Sequence, residues 1–207
     1  VELHEAIRRR VMVRSFSPDP VDPEVVELLV EAALRAPTAG NTGGTQWVIL
    51  TRPEEVAAYW SATTDAQWQA RSARWPGLRQ APVVLLAYAS ASAYVSRYAE
   101  SDKAPSASGP GPELGVSPEG WPVPYWTGDA AFGVMTVLLA AVDAGLGACF
   151  LGNFRGEAAL ATQLGVAEGW HLFGSVVLGH PDGHDHASPS LSRPRPGLEA
   201  RVHRGRW

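Results

Sequence analysis

Three short stretches of the chain carry residues whose types and spacing suit one task, the grip of an anionic group beside a flat ligand. Arg10-Val11-Met12-Val13-Arg14-Ser15-Phe16 sets an arginine at each end of a short turn. Guanidinium forks bind phosphate oxygens bidentately and stay charged at any working pH. Ala36-Pro37-Thr38-Ala39-Gly40-Asn41-Thr42-Gly43-Gly44 is a loop of small residues whose backbone can approach a planar ligand, with Thr38 and Asn41 offering a hydroxyl and an amide. Arg193-Pro194-Arg195-Pro196-Gly197-Leu198-Glu199 holds two arginines on an extended segment stiffened by proline. Taken singly, these also read as solvated arginines, a plain turn and a basic tail. Their weight lies in the combination.

The charge distribution sharpens the point. Net charge is −4, yet nine of the 17 basic residues lie at the two extremities: Arg8, Arg9, Arg10 and Arg14 at one, Arg193, Arg195, Arg201, Arg204 and Arg206 at the other. An acidic chain has no electrostatic reason to bind nucleic acid or an anionic membrane, so a shared small anion is the better target for these arginines. The single cysteine, Cys149, sits in an apolar run; with no disulfide possible within the chain, a reducing, cytoplasmic setting is expected. Residues 2–10 mix polar and apolar types and lack the apolar stretch of a secretory leader. Residues 130–151 are apolar over about the length of a membrane span, but Asp143, Gly145 and Gly147 divide them into a buried helix and a following strand.

These stretches must be positioned by regular elements. The spacing predicts a short amphipathic helix over 3–10 and a second helix from Asp22-Pro23-Glu24 to about Arg35, where Pro37 stops it. Strands are predicted at 46–50, 81–89, 148–151 and 172–178, surface helices at 53–59 and 65–74, and a short helix at 157–164. The run 81–89 lacks alternation, as in a strand buried on both faces. Residues 127–144 form a central helix that is apolar nearly all round and is therefore expected to be buried all round. The Pro/Gly-rich stretch 103–124 contains Trp121 and reads as a lid or insertion, and residues 180–207 as a C-terminal arm. Length and the lack of a composition break suit a single domain over 1–207.

In this order the motifs resemble the nitroreductase family of FMN enzymes. That family's pattern opens with Arg-Arg-Ser-x-Arg-x-Phe, continues with a helix ending in Ala-Pro-Ser-Ala-x-Asn and a later helix ending in Gly-Leu-Gly-Ser, and closes with an Arg-rich segment bearing Leu-Glu. The counterparts are residues 10–16, 36–41, Gly145-Leu146-Gly147-Ala148 and 193–199, and Asp129 at the head of the central helix also fits. The resemblance implies an α+β, nitroreductase-like fold: a central mixed β-sheet of four or five strands flanked by helices, assembled as a homodimer. It implies FMN as cofactor and NAD(P)H as co-substrate, with a small-molecule electron acceptor such as a nitroaromatic, a quinone or a similar conjugated compound. By the same resemblance Arg10, with Val11 and Met12 beside it, serves the FMN phosphate, and Arg14 the pyrimidine side or ribityl chain. Arg193 and Arg195 would close on the phosphate. Pro37, Thr38, Ala39 and Asn41 would touch the ring and ribityl groups. Phe150, Leu151, Gly152 and Asn153 would lie along the ring, with a backbone N–H of Gly152 or Asn153 near the reactive flavin nitrogen. Some of these groups would serve the flavin of a partner subunit.

Two departures qualify the resemblance. Val11 and Met12 stand where the family has an arginine and a serine, which takes one cation and one hydroxyl from the phosphate shell. Gly43-Gly44-Thr45 replaces a Gln-Pro-Trp stretch and is expected to widen the site. An FMN-dependent tailoring oxidase or dehydrogenase, or a non-catalytic flavin-binding module, are the competing functions. Trp68, Trp75, Trp121 and Trp126 are placed to roof a planar substrate. His180, His184 and His186 with Asp182 and Asp185 have the composition of a metal tract but read better as a solvated loop.

Overall fold

In the computed structural model, residues 1–73, 75–103, 113–186 and 188–207 are described. The helices are α1 (Leu3–Arg9), α2 (Pro23–Leu34), α3 (Pro53–Thr63), α4 (Ala66–Arg71), α5 (Ala91–Tyr98), α6 (Tyr125–Asp143) and α7 (Glu157–Leu164). The strands are β1 (Thr45–Leu50), β2 (Val83–Ala89), β3 (Gly147–Leu151) and β4 (His171–Gly179), arranged in the order β1-β2-β4-β3. Local chemistry sets several boundaries. The Asp22 carboxylate accepts from the Glu24 amide at 2.9 Å with Pro23 at the first helical position, and Gly165 ends α7 in a left-handed conformation.

All seven residues of β2 are buried, and their alternation sorts the protein into two cores. Val83, Leu85 and Ala87 face α2 and α6, together with Val176, Leu178 and Ala148. Val84, Leu86 and Tyr88 face the opposite side, with Val177 and Cys149, against Tyr59 and Trp60 of α3 and Leu160 of α7. The apolar run of β2 thus marks a sheet clad by helices on both faces.

The sheet is antiparallel at every pairing, β1 with β2, β2 with β4 and β3 with β4, where the sequence suggests a mixed sheet. The reason is that an unbroken apolar run reports burial of both faces, and burial is blind to the direction of the neighbouring strands. α6 also differs from expectation. Asp129, Ala130, Gly133, Val134, Val137, Leu138 and Ala141 are buried, but Phe132 is 53% and Met135 40% exposed on its other side. With Leu3 and Ile7 of α1, Val11 just beyond it, and Leu28 and Leu34 of α2 also exposed, the single chain presents uncovered apolar groups that a two-sided apolar helix would not predict.

Candidate functional site

The segment after α1 lies along the free edge of β3. The Val13 amide donates to the Ala148 carbonyl at 3.0 Å, the Phe150 amide to the Met12 thioether at 3.4 Å, and the Ser17 amide to the His180 carbonyl at 2.8 Å. Phe16, fully buried, bridges to Pro181 and anchors the far end. The first arginine motif and the segment Phe150–Asn153, distant in sequence, thereby become neighbours.

Within this edge segment the side chains have distinct surroundings. The Arg10 guanidinium buries its Nη1, which has no hydrogen-bond partner among the described residues. A buried donor without a partner costs about 1–3 kcal/mol, more when charged, so this geometry has room for an acceptor to improve it. Arg14 is held differently: its Nη1 donates to the Met12 carbonyl at 3.0 Å, its guanidinium lies 5.0 Å from the centre of the Trp75 ring, and its amide donates to Asp185 at 3.0 Å. Met12 turns its sulfur inward to β3, and Val11 is 60% exposed. Asn153 is fixed by Tyr59, whose hydroxyl accepts from its amide at 3.2 Å, and by Ser175, which donates to its carbonyl oxygen at 2.6 Å. Phe150 stacks on Phe173 with centroids 5.6 Å apart. Gly152 is exposed and Leu151 half-buried. Just behind, burial pushes the Cys149 thiol up to about 11.

The loop Pro37–Asn41 is built at a different place, around the first turns of α6. Asp129, 4% exposed, accepts through one carboxylate oxygen from both the Ala39 amide and the Tyr94 hydroxyl, each at 2.7 Å. Burial, and then the bond to Asp129, push the Tyr94 hydroxyl far above its ordinary value, so it remains a donor at any usable pH. Gly40 and Asn41 are both left-handed, with φ of 66° and 54°; Asn41 is the single non-glycine residue with positive φ among the described residues. Thr38 accepts from the Gly43 amide at 3.0 Å, and Pro37 is exposed.

Where the sequence suggests that Gly43-Gly44-Thr45 widens the site, the Gly44 position is closed: the Tyr94 ring occupies the space a side chain would need, whereas Gly43 faces open space. Thr45 buries a hydroxyl with no partner among the described residues. Trp121 is likewise unavailable as a roof. It is 8% exposed, donates to the Leu114 carbonyl at 2.8 Å, and packs between Tyr94, Tyr98, Tyr125 and Trp126. Trp68 leans on Trp60. The His/Asp tract forms no metal-binding group among the described residues; Asp182 and Asp185 instead dock it onto Ser15 (2.7 Å) and the Arg14 amide.

Arg193 and Arg195 lie on an exposed arm. The loop and the arginine segment meet different parts of α6: Asp129 holds the loop, while Val11 and Val13 border a hollow shared with Leu138 and Val142. At 1.5 Å per residue, Asp129 and Leu138 are about 14 Å apart along the helix. A groove of about 520 Å³ between α3, α4 and Pro76–Gln80 has none of the expected site residues on its walls. Residues that sequence reasoning missed are Tyr94 and Arg97 of α5, a helix that Ser90 caps through the Ala93 amide; a serine directly after the apolar run of β2 is the signal that marks its start.

An antiparallel sheet clad by helices on both faces defines an α+β protein, its candidate residues divided between the edge of β3 and the first turns of α6. The nitroreductase family profile matches residues 7–108 and 124–180. This chain belongs to the nitroreductase family, and so to a family of oxidoreductases. An Archaeoglobus fulgidus protein provisionally named NADH dehydrogenase/NAD(P)H nitroreductase is 25% identical over 209 residues, covering 100% of this chain and 99% of its own. Among solved structures, the nitroreductase CinD of Lactococcus lactis in complex with chloramphenicol superposes with a TM-score of 0.74 at 18% identity, over 99% of this chain and 100% of that one. A provisionally named nitroreductase of Desulfovibrio desulfuricans in complex with FMN gives 0.67 at 20% identity, over 99% and 97%.

Proposed function

We infer that the protein is an FMN-dependent oxidoreductase that takes hydride from NADH or NADPH and reduces a conjugated small-molecule acceptor, acting as a homodimer. The observation that carries this reading is the buried, unpartnered Nη1 of Arg10 beside the edge of β3. A phosphate oxygen is the acceptor that would complete it, and the family membership supports FMN as its bearer. When bound, FMN supplies reversible hydride acceptance.

The chain's own residues bind and orient. Arg10 would take the phosphate, helped by Arg193 and Arg195 of the arm. Arg14, held over Trp75, would place a fixed positive charge at the pyrimidine side, where negative charge accumulates on reduction. The backbone at Gly152 and Asn153 would present an N–H to the ring, steadied by the Tyr59–Asn153–Ser175 bonds. The separation along α6 between the Pro37–Asn41 loop and Arg10 supports a shared site: one subunit would supply the arginines and its partner the loop. Exposed Phe132 and Met135 on α6 suit the intervening contact. The chloramphenicol-bound relative supports a nitroaromatic as one acceptor.

The test is direct. FMN added to purified protein should give a bound-flavin absorption spectrum, NADH or NADPH should bleach it within the dead time or the first seconds of a stopped-flow trace, and light scattering should return a dimer. A protein that leaves FMN free in solution ends the reading; one that binds FMN but ignores both nicotinamides ends its reductase part.

A further inference from the structure

Arg97 has no place in the family motifs, yet it is tied into the loop that the proposed function sets against the flavin. Its Nε donates to the Gly40 carbonyl at 2.9 Å. The other edge of the guanidinium is bidentate to Asp102, with both bonds at 2.7 Å, and Nη1 also reaches Glu100 at 2.9 Å. The guanidinium therefore links one backbone carbonyl of the loop to the turn that leaves α5.

That turn is braced from the other side. Trp121 sits against Tyr98, with centroids 4.7 Å apart. Tyr98 in turn covers Gly40, where an added Cβ would meet its ring at 2.7 Å. The backbone at Gly115 passes so close to Tyr98 and Ala99 that a side chain there would clash with main-chain atoms. The segment 113–124 is thus packed onto the end of α5, and α5 onto Gly40.

The consequence falls on one peptide plane. The Gly40–Asn41 peptide has its carbonyl on Arg97, while its N–H donates to the Thr38 carbonyl at 2.9 Å. Both flanking residues are left-handed, a conformation that glycine adopts freely and that asparagine tolerates best among the other residues. With the plane pinned at both ends, the backbone from which the exposed Asn41 side chain projects is held in place. Asp129 grips the preceding amide, at Ala39, from behind.

We propose that Arg97 is a positioning residue for the reaction: by clamping the Gly40 carbonyl to the Glu100–Asp102 turn, it fixes the loop that lies against the flavin and its acceptor. The effect belongs to the ring and acceptor side, because the phosphate arginines are on other elements. This rests on the flavin reading of the site.

The test compares wild type with Arg97→Met, Arg97→Lys and Asp102→Asn, using FMN, NADPH and menadione as probes. In Arg97→Met the FMN dissociation constant stays within threefold of wild type, the visible circular dichroism of bound flavin changes shape, and the KM for menadione rises tenfold or more while kcat falls less than threefold. Arg97→Lys, which can still donate to Gly40, recovers part of the dichroism. Asp102→Asn keeps the Gly40 bond but frees its far end, and moves both readouts in the same direction by less. Unchanged dichroism and KM in both Arg97→Met and Asp102→Asn overturn the proposal while leaving the flavin reading intact. Should Arg97→Met fail to fold, Asp102→Asn decides alone, by the same two readouts. Wild type that takes up no FMN instead removes the flavin reading and this proposal with it.

Discussion

The Asp129 carboxylate offers a sharp quantitative test of how the Pro37–Asn41 loop is held. It is 4% exposed and accepts two bonds through one oxygen, from the Ala39 amide and the Tyr94 hydroxyl. Asp129→Ala leaves both donors without a partner inside a packed region. At about 1–3 kcal/mol per stranded group, the loss is about 2–6 kcal/mol, with any cavity contribution in addition. Asp129→Asn keeps an oxygen that can accept both bonds but removes the charge. Hydrogen bonds to a charged group contribute about 1.5–3 kcal/mol against about 0.5–1.5 for neutral pairs, so two of them place this variant about 2–3 kcal/mol below wild type. The assay is urea unfolding of apoprotein at constant slope, followed by tyrosine and tryptophan fluorescence. The order wild type, Asn, Ala is required. An Asn variant as stable as wild type would show that the charge at 129 does no work, and an Ala variant within 1 kcal/mol would refute the two-donor argument.

Other consequences follow from single features. Cys149, with its thiol raised to about 11 by burial, should react with a thiol reagent at pH 8 only after denaturant is added; rapid labelling of the native protein would contradict its placement. Gly156 combines a φ of 70° with a place where an added Cβ would collide with the Ala62 carbonyl, so Gly156→Ala should cost more than about 3 kcal/mol of unfolding free energy or abolish expression. The Asp182 carboxyl is held below its usual value, chiefly by the His184 amide and then by Ser15. A depressed carboxylate contributes stability above its unfolded pKa, near 3.8, and loses it as pH falls through the lower folded value. The melting-temperature gap between wild type and Asp182→Asn should therefore be full at pH 6 and close as pH drops below 4; a gap that widens toward acid would reverse the sign.

Much of the fold is legible in the sequence. The helix starting at Asp22-Pro23 and the doubly buried β2 follow from capping chemistry and burial, which are local properties of the residues concerned. The direction of strand pairing is not local, and the antiparallel sheet could not be told from a mixed one. α6 shows a second limit: its composition is apolar on two sides, but only packing reveals that one side meets the core while Phe132 and Met135 remain outward. At the site, the arginine motif and the Pro37–Asn41 loop were recognisable by residue type. Asp129 is marked by the family pattern, but Tyr94, which bonds it, and Arg97, which reaches the loop from 57 residues away, carry no such mark. Gly44 likewise looked like an opening until the Tyr94 ring was seen to fill it.

The account turns on whether the Arg10 guanidinium is completed by a phosphate, and comparison of FMN with riboflavin isolates that group. Equilibrium titration of wild type and Arg10→Met with both flavins should show FMN binding at least tenfold more weakly in the variant, as expected when a charge-assisted bond contributing about 1.5–3 kcal/mol is lost, while riboflavin affinity stays the same. Equal FMN affinity in the two proteins, or a wild type that binds riboflavin as tightly as FMN, would contradict it.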